Sequence, residues 1–473
     1  MTAADPYRAF LARKTAEAPA FGLRRVPDLH PALFPFQHAI ARRHLLLGRG
    51  AIFAGTGLGK TLMQLAWADA IEREAEGQVL VLTPLAVAQQ TVREAERFGF
   101  GGCRYARTQA DGRIVVTNYD RFDRFDPDRF AAVVLDESSI LKAHDSKTRI
   151  ALTEAFARCR YKLACTATPA PNDWTELGNH AEFLGVMSAK EMLATYFVHD
   201  GSNRAGDGGA DGWRLKRHAA ADFWAWVASW ATLIRHPRDL GFDQAGYDLP
   251  PLFKHQVTVP FDGGAEEDLD GLFPMPVVAR TLNERIAARR DTVGARVEAA
   301  AKIVNAAPDR PWLIWCGLNS EAEALVKAIG GSVEVRGPDD PELKASRMLG
   351  FCEGRPRVLV TKPSIAGFGM NWQHCADMVF VGLNDSFEQL FQAIRRCWRF
   401  GQAQPVNVYL IASEIEGAVV ANLEAKEKAF EAMGDAMAIH MRDLNRASLR
   451  GRRSVRPARK ARPMEVPAWL TAA

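Results

Sequence analysis

The residues best equipped for chemistry lie in the run Ala54-Gly55-Thr56-Gly57-Leu58-Gly59-Lys60-Thr61. Glycines let backbone N–H groups converge on an anion with no Cβ in the way, and a helix that follows adds its positive dipole end. Gly55, Thr56, Gly57, Leu58 and Gly59 would form the cradle. Lys60 would then reach β- and γ-phosphates, and the Thr61 hydroxyl would ligate Mg²⁺, which is the chemistry of a phosphate-binding loop. The first position of the usual G-x-x-x-x-G-K-[ST] spacing is Ala54, which such a loop accepts where its φ is negative. A second constellation is Asp136-Glu137, at the end of the apolar run AAVVL. Mg²⁺ takes hard oxygen ligands and keeps most of its waters, so Asp136 and the Thr61 hydroxyl complete a reasonable shell. Glu137 is then placed to orient or deprotonate an attacking water. A third is SFEQLFQAIRRCWRFGQ, residues 386 to 402. On a helix, Gln392, Arg396 and Arg399 stand at i, i+4 and i+7 and share one face. A planar guanidinium suits phosphate oxygens and stays charged in any site, so this pair fits the role of an arginine finger. Arg395 competes with Arg396, and spacing alone favours the latter. Gln37, in FPFQHAIARRHLLL, offers an amide that both accepts and donates and could read an adenine edge.

The elements that must position these residues are legible as short apolar runs. Ala51 to Phe53 predicts a buried strand, with a helix from Leu62 to Ile71 after the loop. QVLVLTPLAVAQQ, RIVVTNY, AAVVLDESS and YKLACTATP supply further strands. Each ends on polar groups: Thr83-Pro84, Asn118, Asp136-Glu137, and Thr166 with Thr168. Open α/β sheets place their ligand sites at the carboxyl ends of their strands. WLIWC, RVLVT, MVFVGL and VNVYLI repeat the pattern between residues 312 and 411, without a second phosphate loop but with the small-residue segment SIAGFGMNWQHCAD from Ser364.

Composition sets the frame. The chain has 473 residues, 48% apolar and 25% charged, which fits a soluble globular protein of two to four domains. No run of about 18 uncharged apolar residues occurs, so no membrane span is expected. The N-terminal stretch lacks the apolar core of a secretory signal. Seven scattered cysteines without a Cys-x-x-Cys pair argue against a zinc site or a disulfide framework and fit a reducing compartment. The net charge is +4, yet Arg446 to Pro463 holds eight Lys or Arg and no acid, so the remainder is net −4. Such a tail is expected to be disordered, either as a solubilising or targeting segment or as a nonspecific nucleic-acid contact.

In order, AGTGLGKT, LTPLAVAQQ, VTNYD, LDESS, TATP, SIAGFGMNW and QAIRRCWRFGQ resemble the motifs of superfamily two helicases, in particular the Swi/Snf-like branch. The resemblance runs from Phe34 to Ile411. It implies two tandem RecA-like α/β domains with ATP and Mg²⁺ bound between them and nucleic acid, with duplex DNA favoured, lying across both. Gln37 would contact adenine, and Lys60, Thr61, Asp136 and Glu137 would bind and hydrolyse Mg·ATP. Gln392, Arg396 and Arg399 would complete the site from the second lobe. Thr166 and Thr168 would couple the γ-phosphate to nucleic acid. Thr83, Pro84, Asn118, Ser364, Gly367, Gly369 and Asn371 correspond to contacts with the nucleic-acid backbone. Ser138-Ser139 departs from the family's usual residues and resembles the versions carried by phages and prophages, which points to the cytoplasm of a bacterium or a phage-infected cell. The chain is also short for a chromatin remodeller.

The expected organisation is a helical extension (residues 1–30), a first RecA-like lobe (31–186), a helical insertion and linker (187–290), a second lobe (291–445) and the basic tail (446–473). Within the insertion, Trp224, Val227, Trp230 and Ile234 stand at helical spacing, as a core stripe or as a base-stacking surface. IRHPRDLGF either touches phosphates or ends a helix at Pro237. ATP-driven translocation on DNA leads the functional readings, and strand separation is close behind. An RNA helicase, or an ATPase clamp acting through a partner nuclease or repair protein, remains open. A regulatory phosphate-loop switch is disfavoured by the second lobe and the tail.

Overall fold

The computed structural model describes residues 21–75, 77–143, 146–171, 173–199, 212–243, 245–260, 290–366, 371–384 and 386–449. They form two compact units, one from the described residues up to 243 together with 429–449, the other from those between 245 and 428.

The first unit is built on seven strands: β1 (Arg49–Ala54), β2 (Gln78–Thr83), β3 (Cys103–Tyr105), β4 (Ile114–Asn118), β5 (Phe130–Asp136), β6 (Tyr161–Thr166) and β9 (Ala231–Ile234). They form one sheet in the order β3-β4-β2-β5-β6-β1-β9, with every pairing parallel. A small antiparallel ribbon, β7 (Phe197–His199) with β8 (Trp213–Leu215), lies in the same unit. Parallel strands need crossovers, and these are helical: Lys60–Ala75 joins β1 to β2, and Leu85–Arg97 leads from β2 toward β3. Helices on the faces bury both sides of the sheet, which accounts for near-continuous apolar runs in place of alternation. Ile52, Leu80, Val133 and Leu163 are fully buried, each contributing about 1.5–3 kcal/mol by leaving water.

The second unit repeats the plan with six strands: β10 (Leu252–Val259), β11 (Trp312–Cys316), β12 (Ser332–Glu334), β13 (Val358–Thr361), β14 (Asp377–Val381) and β15 (Val406–Ser413). All are parallel, in the order β10-β15-β14-β11-β13-β12. The four strands expected here are present, and β10 and β12 are additions that the sequence did not announce. Buried Arg296 bonds Glu321 at 2.6 Å under this sheet, an ion pair with neither partner left unpaired. Two tandem RecA-like α/β domains are therefore the architecture.

Several expectations need correction. Residues 21–30 carry no helix, so the described part of the N-terminal extension is irregular. Within the insertion expected at residues 187–290, Ala231–Ile234 forms β9, which pairs with β1 as an edge strand of the first sheet. The tryptophan helix stops at Trp230, and Ile234 belongs to β9 instead of to that helix. Trp224, Val227 and Trp230 are buried in the first core. Pro237 opens a short 3-10 turn, Pro237–Leu240, whose Arg238 and Asp239 carbonyls accept from Arg446. The 33-residue helix Gly417–Leu449 carries the chain from the second unit into the first, where Met437 and Met441 are buried and Asn445 donates to the Leu233 carbonyl. The second lobe therefore does not run to residue 445, and residues 446–449 are helical, not tail. All seven cysteines are free thiols, and no helix among the described residues is long and apolar enough to cross a membrane.

Candidate functional site

The carboxyl edge of the first sheet gathers the chemistry. Register aligns Phe53 with Thr166, Thr83 with Asn118, and Asp136 with Cys165, so the ends of five strands, β1, β2, β4, β5 and β6, stop within about one residue of one level. The glycine-rich loop leaves that edge directly. Gly55 N–H donates to the Ile234 carbonyl at 2.9 Å, which ties the loop to β9. Gly57 and Gly59 take φ of 89° and 77°, a region costly for any residue with a Cβ. Ala54 ends β1 in extended conformation, which is why alanine is accepted where the usual spacing has glycine. At Gly59 the constraint is double: a Cβ there would clash with Gln37 Nε2.

Gln37 sits in the helix Pro35–Leu47, buried against the loop. Its Nε2 donates to the Leu58 carbonyl and its Oε1 accepts from Phe34 N–H, both at 2.9 Å. In this geometry the amide holds the loop's shape.

Lys60 opens the helix Lys60–Ala75, and its ammonium donates to the Ala54 carbonyl at 3.0 Å. The positive charge is thus folded back over the loop, where an incoming phosphate would compete for it. Thr61 follows in the first turn. The Thr56 hydroxyl is buried with no hydrogen-bond partner among the described residues. A cradle of positive-φ glycines, an unengaged hydroxyl and an ammonium held by one carbonyl fits a phosphate chain.

Asp136 ends β5 and is 5% exposed. Its Oδ1 accepts from Gln64 Nε2 at 2.7 Å. Burial raises its pKa, opposed by that bond, by the Lys60 charge and by the Glu137 backbone N–H. A dehydrated carboxylate beside a lysine is a suitable donor to a hard cation, so the residues present fit Mg²⁺. Glu137 has φ 53° and ψ 54°, and is the sole non-glycine residue at positive φ among those described. That left-handed backbone, costly for a residue with a Cβ, turns the glutamate out of the strand direction. Its Oε2 lies 3.5 Å from the Thr166 hydroxyl, which also accepts from Thr168 N–H at 3.1 Å. The acidic pair and the Thr-Ala-Thr segment therefore make one connected network.

Sequence reasoning missed three supports of this network. Gln64 lies one helical turn beyond Lys60, a spacing that could have revealed it. Tyr119 donates from its hydroxyl to the Asp136 carbonyl at 2.7 Å, and burial holds its own pKa well above the ordinary value. Ser138 Oγ sits 3.2 Å from His180 Nε2; burial lowers that histidine to about 4, which keeps it neutral.

Of the remaining predicted residues, Thr83 is fully buried with its hydroxyl on the Pro84 carbonyl, and Pro84 is half-buried at the edge. Asn118 is buried, donating to Asp120 at 3.3 Å. In the second unit Ser364 and Asn371 are exposed, whereas Gly367 and Gly369 lie outside the described residues. The helix carrying Gln392 is Phe387–Ile394, so Arg396 and Arg399 fall beyond it, contrary to the single helical face expected. The cause is visible in the backbone: Arg396 and Cys397 N–H groups bond three residues back, which tightens the chain into turns. Arg396 is nevertheless packed on Gln392, its Nε donating to that residue's carbonyl at 3.3 Å. Arg395 points elsewhere, over the rings of Phe391 and Trp398 at 5.1 and 4.3 Å.

Fold and site define a tandem RecA-like α/β protein whose first sheet carries a glycine-rich loop running into Lys60 and Thr61. Residues 37–171 match the family model described as "Type III restriction enzyme, res subunit". That match covers 135 of the 473 residues, all of them in the first unit. Protein p41 of Acyrthosiphon pisum secondary endosymbiont phage 1 is 28% identical over 176 residues, 32% of this chain and 38% of that protein. The chain thus spans well under half the length of that curated relative. A SWI2/SNF2 ATPase core from Sulfolobus solfataricus, solved in complex with double-stranded DNA, is 18% identical with a TM-score of 0.40, covering 92% of this chain and 98% of that one.

Proposed function

We propose that this protein hydrolyses ATP to ADP and phosphate when nucleic acid is bound, and uses the cycle to move along or remodel duplex DNA. The observation that carries the reading is the joined network at the first sheet's carboxyl edge: the loop holding Lys60, buried Asp136 near it, and strained Glu137 linked to Thr166. Thr61 and Asp136 would hold Mg²⁺, which supplies charge neutralisation on the phosphates. Lys60 leaves the Ala54 carbonyl for the phosphate chain, and the loop N–H groups orient it. Glu137 accepts a proton from the attacking water, and its bond to Thr166 passes a change at the acid to the segment ending at Thr168.

Arg396 and Arg399 would meet charge developing on the transferred phosphate, with Gln392 positioning Arg396, a reading supported by motif resemblance and by the Gln392–Arg396 bond. Thr83, Pro84, Asn118, Ser364 and Asn371 are assigned to nucleic-acid contact in the same way, with accessible Pro84, Ser364 and Asn371 as the direct ones. The test is ATP hydrolysis with single-stranded DNA, duplex DNA and RNA as separate stimulants. Duplex DNA is expected to stimulate most. Stronger stimulation by RNA would favour an RNA helicase, and no stimulation by any of the three would overturn the reading.

A further inference from the structure

Away from the residues just described, the first unit holds an open cleft of about 180 Å³, lined by Trp174, Arg214, Leu215, Arg217, Trp224 and His440. None of these residues belongs to the phosphate loop, the acidic pair or the Thr166–Thr168 segment. They come from separate parts of the chain: a 3-10 turn (Trp174–Glu176), β8, a second 3-10 turn (Arg217–Ala219), the tryptophan helix and the C-terminal helix. The rings are built against each other. His440 stacks on Trp224 with centroids 5.6 Å apart and planes 6° from parallel, and Trp174 meets Trp224 edge-on at 5.1 Å. Trp224 is 1% exposed, so it serves as the floor, while Trp174 is partly accessible and His440 and Arg217 are exposed.

The chemistry of this lining is selective. It combines flat apolar surface with two guanidinium groups and no carboxylate. A purely apolar ligand would make no use of the arginines, and a small inorganic anion would make no use of the rings. A group with one planar face and one phosphate engages both, and arginine is the side chain best matched to phosphate. Aromatic surfaces bordered by cationic side chains are how unpaired bases are held without sequence preference. We infer that this cleft binds one nucleotide unit, its base on Trp174 and His440 and its phosphate on Arg214 and Arg217, as part of an unpaired nucleic-acid strand. The volume admits a single base, so the cleft would hold one displaced nucleotide and not a run of them. Binding in this cleft needs no nucleotide hydrolysis, so it is measured at equilibrium whether or not the phosphate-loop residues turn over ATP.

The test uses the full chain with EDTA and no ATP. Binding of a short single-stranded oligothymidylate is followed by fluorescence anisotropy, beside a strand of equal length in which the central nucleotides are abasic. The intact protein should prefer the base-bearing strand by roughly tenfold or more, the scale of one aromatic–base stack. Trp174→Leu should abolish that preference and Trp174→Phe should restore most of it. Arg217→Glu, at an exposed position that leaves the core alone, should weaken both strands and lower the salt slope by about one. Free thymidine monophosphate is the second arm. If it binds as tightly as the strand, and Arg217→Glu removes that binding, the ligand chemistry holds and the source is a free nucleotide. The inference is overturned if Trp174→Leu keeps the full preference for bases, or if Arg217→Glu binds both strands and the free nucleotide as the parent does. Unfolding midpoints of each variant distinguish lost binding from lost fold.

Discussion

Replacing Asp136 by Asn should make the protein more stable and catalytically dead, with a pH dependence that identifies the cause. The carboxylate is 5% exposed, and burial raises its pKa against the help of Gln64, Lys60 and the Glu137 N–H. A folded-state pKa above the unfolded one means that the folded chain binds this proton more tightly. Stability from this group is therefore intact below the ordinary carboxylate range. It falls as pH rises from that range through the raised folded value, and stays lower at neutral pH. Asparagine keeps an acceptor for Gln64 Nε2, now 2.7 Å away, and removes the charge. Incompletely compensated burial of such a group costs about 1–2 kcal/mol. For a unit of this size that corresponds to roughly 2–8 °C in Tm. The assay is thermal unfolding of parent and Asp136→Asn in EDTA, from pH 7 down into the carboxylate range. The variant should melt higher at pH 7, and the gap should close as the parent's Asp136 takes up its proton. With Mg·ATP present only the parent should gain stability, since ligand that binds the folded state alone raises Tm. A variant that melts at or below the parent at pH 7, or a gap independent of pH, would refute the reasoning.

Gly59→Ala should displace Gln37 from Leu58, because its Cβ would clash with the amide nitrogen at φ 77°; about 1–3 kcal/mol of stability should go with it, read by unfolding, together with nucleotide affinity. Glu137→Gln should bind ATP and turn it over slowly, and brisk ADP release would remove Glu137 from the role of base. Arg399→Ala should retain ATP binding and lose roughly 10³–10⁵ in turnover, the contribution of an arginine finger; near-normal turnover would refute that assignment. Truncation should be made after Leu449, since Arg446 bonds the Arg238 and Asp239 carbonyls. Removing the seven Lys and Arg from Arg450 to Pro463 should weaken DNA binding and flatten its salt dependence while sparing the maximal ATPase rate.

What was legible in the sequence follows from what local rules control. Parallel strands buried on both faces read as apolar runs, so β1, β2, β4, β5 and β6 were found with their polar ends, and with them the loop and the acidic pair. Position 136 was legible because an acidic pair ending an apolar run needs a cation or a hydrogen-bond donor near it, and the segment after β1, one strand beyond β6, brings both in Lys60 and Gln64. Its partner Gln64 was missed because the apolar pattern of the helix Lys60–Ala75 hides a single polar residue on the buried face. Short apolar runs do not distinguish helix from strand by themselves. Ala231–Ile234 continued the spacing of Trp224, Val227 and Trp230, and only pairing with β1, a partner some 180 residues earlier, makes it a strand. The same long-range pairing lets Ile234 receive the Gly55 N–H, so part of the phosphate loop's support comes from a segment that reads locally as insertion. Arg396 and Arg399 show the opposite case. Their spacing was helical, yet the backbone leaves the helix at Ile394, and it is the Arg396–Gln392 contact, not a shared helical face, that ties the first of them to the glutamine. Residue choice at this site was thus readable wherever chemistry restricts composition, and element type was unreadable wherever a distant strand decides it.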